Sequence, residues 1–174
     1  MKPTIEEIRE DEFYLDYPWY ESNKDDFYQV LDILGFYDIE AFFSGFYCQG
    51  DGASFQARYE YKKGSIKAIK EYAPNDAELH SIAKGLQLLQ ARARYDIGCK
   101  ITQNSPHYVH SNTMRVDYIY SVDNIVENVD FYELDYLFLE LFRDLADWYY
   151  KQLDDEYDYL RSDDAIQEYI DANY

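Results

Sequence analysis

Cysteine is nearly absent: Cys48 and Cys99 are the only two among 174 residues. A secreted scaffold of this size held by disulfides would carry more, so a reducing, cytoplasmic setting is expected. Long apolar runs are missing too, and none approaches the roughly 18 residues that a membrane-spanning helix needs. Met1 to Glu12 has no basic flank followed by an apolar stretch, which argues against an ordinary signal peptide. Basic residues are scarce, 16 Lys and Arg against 35 Asp and Glu, for a net charge of −19. That charge repels nucleic acid and anionic membrane and favours a basic partner, and many basic surfaces are nucleic-acid-binding sites. Solubility, or adaptation to high salt, would leave the same imprint. The sequence also lacks a Walker loop, a dinucleotide fingerprint, a Gly-x-Ser-x-Gly elbow and a zinc motif, so no cofactor is expected.

Aromatic residues are plentiful instead. Phe, Trp and Tyr make up 19%, with 21 Tyr. A Tyr ring buries area while its hydroxyl stays near water, so such a chain can build a core and still present a hydrogen-bonding surface. Charge is unevenly placed. Residues 1–57 hold 3 bases and 13 acids, residues 58–100 hold 9 and 5, and residues 101–174 hold 4 and 17. The ends carry the negative charge, and the mildly basic middle either pairs with them or forms its own patch.

Apolar periodicity and turn residues predict the elements. The acidic stretch Met1 to Tyr17 reads as a short helix or a loose arm before Pro18. Phe27, Val30, Leu31 and Leu34 share one face of a helix over 23–34, capped by Asn23 and stopped by Gly35. Residues 39–61 read as a hairpin about Gly50-Asp51-Gly52, with Phe55, Ala57, Tyr59 and Tyr61 on one face. A short helix, Ser65 to Tyr72, precedes Pro74. The next helix starts at Asn75 or Asp76 and buries Leu79, Ile82, Leu86 and Leu89. Strands follow at 97–103 and 108–120 around Asn104-Ser105-Pro106, with Val116, Tyr118 and Tyr120 on one side. A long helix spans 130–160, and Ser162 and Asp163 start a shorter one. The expected architecture is one α+β domain over 1–174: about four mostly antiparallel strands, in two hairpins, packed with helices.

Few residues suggest chemistry. Gly50-Asp51-Gly52 could form a backbone nest for a ligand, but its central acid suits phosphate poorly, and Asp51 bonding its own backbone is the plainer reading. His107 and His110 would point to opposite faces of a strand, so they do not make a metal pair. Cys48 has no local partner for nucleophilic work. No catalytic or metal residue is assigned.

The long helix is the most informative segment. Leu134, Phe138, Leu141, Leu145 and Trp148 repeat at 4-3-4-3 spacing as its core stripe. Glu133, Glu140, Asp144, Asp147, Asp154 and Asp158 run along a neighbouring face, interrupted by Lys151. Carboxylates one turn apart lie about 5–6 Å apart along a helix, only a little closer than successive phosphates on a DNA strand. Such a row can compete for a groove that tracks phosphates; an ordinary solvated helix face is the alternative.

Residues 43–55, FSGFYCQGDGASF, resemble the signature of a family of small proteins from bacteriophages and prophages. GSIKAIKEYAPNDAELHSIAKGLQLLQ at 64–90, HYVHSNTM at 107–114 and RDLADWYYKQLDDEYDYLRSDDAIQEYIDAN at 143–173 continue the resemblance. Tyr47 and Cys48 stand where the family more often has Trp and Ser. The resemblance implies a phage or mobile-element setting, sometimes with an antitoxin label, and supplies no catalytic residues. Together these observations lead to the expectation of a non-enzymatic protein. It would bind and inhibit a basic, nucleic-acid-acting host defence protein by nucleic-acid mimicry, through the six helix acids and Asp51. An antitoxin-like module that binds one protein through an aromatic surface is the alternative. Direct contact with nucleic acid or membrane is not expected, and a homodimer is left open.

Overall fold

A computed structural model describes residues 2–105 and 107–174. Four strands form one antiparallel sheet in the order β1-β2-β3-β4: β1 Phe36–Phe43, β2 Ala53–Glu60, β3 Ile97–Gln103 and β4 Met114–Ser121. Among the described residues six α-helices accompany it: α1 Ile5–Arg9, α2 Glu21–Leu34, α3 Ser65–Tyr72, α4 Ala77–Arg92, α5 Phe131–Leu160 and α6 Asp163–Asn173. This is the α+β architecture the periodicity predicts.

α2 and α5 cover one face of the sheet, and α4 packs against α5. Phe55, Ala57 and Tyr59 of β2 point into that core, as their alternation requires, while Gln56, Arg58 and Glu60 stay half-exposed on the far side. Phe27 of α2 stacks on Tyr149 of α5 at 4.3 Å between ring centroids and meets Phe55 edge-on at 5.6 Å. Phe36, Tyr59, Phe138 and Phe142 continue the aromatic seam. Aromatic pairs of this kind add about 0.5–1.5 kcal/mol each beyond the area they bury. Two tyrosines, Tyr59 and Tyr149, are thus fully buried.

Local signals place most boundaries. Gly35 ends α2 with φ 103°, and a Cβ there would lie 2.2 Å from the Glu60 carbonyl oxygen, so only glycine fits. Asp76 caps α4 through the Leu79 N–H, Asp130 caps α5 through Tyr132 and Glu133, and Ser162 caps α6 through Ala165. α2 begins at Glu21, two residues before the predicted Asn23 cap, and the Asn23 side chain reaches the Gln152 carbonyl instead. The hairpin strands are joined by the whole of residues 44–52 rather than by a tight turn.

The N-terminal segment is not a loose arm over its described residues. Thr4 and Glu7 form a reciprocal capping box on α1. Ile8 and Tyr14 are buried against Ile166 and Ile170 of α6. The Tyr14 hydroxyl donates to the Leu160 carbonyl at 2.8 Å, and Arg9 pairs with Asp163. Met1 lies outside the described residues.

β4 departs furthest from expectation. It starts at Met114, and His107 and His110 precede it rather than sit within it; His110 Nδ1 accepts the Asn112 N–H at 3.0 Å. Pro106 of the predicted turn lies outside the described residues. Lys100 pairs with Tyr118 but Ile101 pairs with Val116, so Asp117 is an extra residue, a β-bulge. The slip of one residue reverses every side chain beyond it. Val116 and Ile119 face the core, and Tyr118 and Tyr120 face the open side, where the Tyr120 ring lies directly over Gly98. Val116, Tyr118 and Tyr120 therefore do not share a face.

Candidate binding surface

α5 carries the acidic row. Its buried arc comprises Leu134, Phe138, Phe142, Leu145, Ala146, Trp148, Tyr149 and Leu153. That arc is wider than a 4-3-4-3 stripe, because α5 packs against both the sheet and α4. Leu141, predicted in the core, is only half-buried and rests against Gly85 of α4. At 3.6 residues per turn, the acidic row falls on the side of α5 away from the buried arc rather than immediately beside it.

The six helix acids divide into three environments. Glu133 is tied to Arg92 of α4 at 2.7 Å and stands apart from the others. Glu140 pairs with Arg143 at 3.0 Å, and Arg143 also donates to the carbonyls of Ser111 and Met114. Asp144, Asp147, Asp154 and Asp158 enter no ion pair among the described residues. Partial burial raises the pKa of the Asp144 carboxyl, and the charges of Asp147 and Glu140 add to the effect. Partial burial likewise raises Asp154, with Asp158 and Asp155 contributing. Like charges are thus held close enough to interact, in two groups along about 27 Å of helix from Glu140 to Asp158. Asp155 belongs to the second group, although its position is one residue off the predicted row.

Asp51 lies near the second group, though its carboxylate is turned inward. Its Oδ2 accepts the N–H groups of Tyr47 at 2.8 Å and Cys48 at 3.0 Å, and these bonds lower its pKa to about 2. The carboxylate therefore staples its own loop. That loop docks on α5: Phe46 stacks on Tyr150 and Tyr157, the Tyr150 hydroxyl donates to the Gly45 carbonyl at 2.9 Å, and the hydroxyls of Tyr47 and Tyr157 meet. Burial raises the pKa of the Tyr150 hydroxyl, and the charges of Asp154 and Asp51 add to the effect. Tyr150 and Tyr157, seven residues apart on α5, are the link that sequence reading missed; their shared helix face was the available signal.

The other candidate groups do not converge on chemistry. Cys48 is exposed and Cys99 is buried. Among the described residues, no three His, Cys, Asp or Glu side chains gather as a metal site, and no helix is long and apolar enough to cross a membrane. Comparison with known families finds one match: a family model described as Domain of unknown function (DUF8835) matches residues 19–163. No curated protein and no solved structure matches the chain.

Proposed function

The chain belongs to that family, DUF8835, and we propose that it works by binding rather than catalysis, as an acidic inhibitor that occupies the nucleic-acid site of a basic host protein. The observation that carries this reading is the unpaired row on α5. Among the described residues Asp144, Asp147, Asp154 and Asp158 have no basic partner, while ion pairs form elsewhere. The row is fixed on a 30-residue helix whose opposite side is locked into the core, so its spacing is rigid. Rigid negative charge at near-phosphate spacing meets a phosphate-tracking groove without reorganising. A phage or mobile-element setting, with a defence protein as target, rests on the sequence resemblance.

Two of the residues that could have argued for catalysis are engaged otherwise. The Asp51 carboxylate holds loop amides, and His110 Nδ1 accepts the Asn112 N–H. Two experiments on the captured partner test the proposal. Capture from host lysate should collapse at ~0.5 M salt, as expected of contacts made mainly by exposed charges. Duplex DNA or RNA should displace the chain from the partner it captures. Salt-resistant capture that nucleic acid does not compete would overturn mimicry and favour an aromatic contact.

A further inference from the structure

β4 is an edge strand: it pairs with β3 on one side, and among the described residues no strand pairs with the other. In an antiparallel ladder, hydrogen-bonded pairs alternate along the strand. The Val122 N–H donates to the Asp96 carbonyl at 2.9 Å, which sets the phase. Tyr120 and Tyr118 then direct their backbone groups to β3, and Ile119 and Ser121 direct theirs outward. Free edges of this kind accept an added strand.

A groove of about 190 Å³ lies between this edge and the start of α5, lined by Val116, Asp117, Tyr118, Ile119, Phe131, Tyr132 and Asp135. Arg143 closes off the Met114 end by donating to its carbonyl at 3.4 Å. Tyr132, 92% exposed, and Tyr118 supply aromatic surface beside the groove. The two ionisable groups of the groove that a partner would need to match, Asp117 and Asp135, are both acids. Asp117 is held by Lys100 and Thr102 on the open side of the sheet. Asp135 is different: it is half-buried, it makes no hydrogen bond or ion pair among the described residues, and its charge reaches buried Cys99. Burial raises its carboxyl pKa. A carboxylate desolvated without a partner is a cost that an incoming cation offsets.

We infer that the β4 edge and the groove beneath it dock an extended segment of a partner protein, one that carries a lysine or arginine for Asp135 between apolar residues. Pairing with Ile119 and Ser121 provides the backbone contacts, and Tyr118, Tyr132 and Phe131 receive the apolar side chains. A second copy of this chain is a poor occupant, because edge-to-edge pairing would bring Asp117 and Asp135 toward their own counterparts. The site uses none of Glu140, Asp144, Asp147, Asp154 or Asp158, so it stands or falls separately from the acidic face.

The test is an amide NMR titration of the full chain with an acetylated, amidated hexapeptide alternating valine and lysine. Shifts should concentrate at Ile119, Ser121, Tyr132 and Asp135. Backbone N-methylation of alternate residues, which keeps the charge and removes the donors, should weaken binding about tenfold. Tyr132→Ala and Asp135→Asn should each weaken it several-fold; Tyr132 is exposed, so its variant keeps the fold whatever Asp135→Asn does. The valine–glutamate peptide should not bind. Equal binding of the N-methylated peptide, or shifts confined to Asp144–Asp158, would overturn the proposal by showing charge attraction alone.

Discussion

The indole N–H of Trp148 donates to the Asp76 carboxylate at 2.8 Å, while the other oxygen of that carboxylate accepts the Leu79 N–H at 2.9 Å. One side chain thus starts α4 and fastens it to the middle of α5. Both bonds have a charged acceptor, which places them among the stronger protein hydrogen bonds. Asp76→Ala removes the cap and leaves a partly buried indole donor unpaired. It should cost about 2–3 kcal/mol, read as a drop in the urea midpoint at unchanged slope. A loss below about 0.5 kcal/mol would mean that the pair contributes nothing net.

The Asp51 staple makes the 44–52 loop pH-sensitive in one direction. Its folded pKa, about 2, lies below the ordinary 3.8. Its contribution is therefore fully present above the unfolded value and is lost as pH falls through the folded one. The Tyr47 and Cys48 amide resonances should titrate together with a midpoint near pH 2, and Asp51→Ala should abolish that titration. A shared midpoint near 4 would show that the carboxylate is not held.

Reversing Glu140, Asp144, Asp147 and Asp154 to Lys should abolish partner capture and leave the fold intact. These positions lie away from the buried arc of α5, where surface changes usually cost within about 0.5 kcal/mol each, and only the half-exposed Glu140–Arg143 pair is lost. The destabilising control belongs at Phe142 and Leu145, both fully buried, where truncation to Ala should cost ~2–5 kcal/mol apiece. Leu141, being half-buried, is a weaker control. Circular dichroism checks the fold; full-strength capture by a folded four-Lys variant would remove this face from consideration.

The two thiols should differ sharply. Cys48 is exposed; Cys99 is buried on β3, where burial and the charge of Asp135 push its thiol pKa up. Since the thiolate is the reactive form, a disulfide reagent should titrate one thiol per native chain, and Cys48→Ser should remove it. Two fast thiols in the native protein would mean that the β3–α5 interface opens readily.

Much of this protein was legible in its sequence because the determinants are local. Gly35, Asp76 and Ser162 end or start their helices through bonds to residues within a turn. The six acids of the row, Glu133, Glu140, Asp144, Asp147, Asp154 and Asp158, share one side of α5 because 3.6 residues per turn is a property of the backbone. What only the tertiary structure decided depends on partners distant in the chain. The buried arc of α5 took in Phe142, Tyr149 and Leu153 because a sheet and α4 meet it from two directions. Tyr118 and Tyr120 changed faces because one extra residue at Asp117 reset the two-residue period. The Asp51 carboxylate turned inward to loop amides whose positions are set by Phe46 seated on Tyr150 and Tyr157. Asp135 was one acid among 35 in the sequence; only the packing of α5 beside the β4 edge left it half-buried and, among the described residues, without a partner.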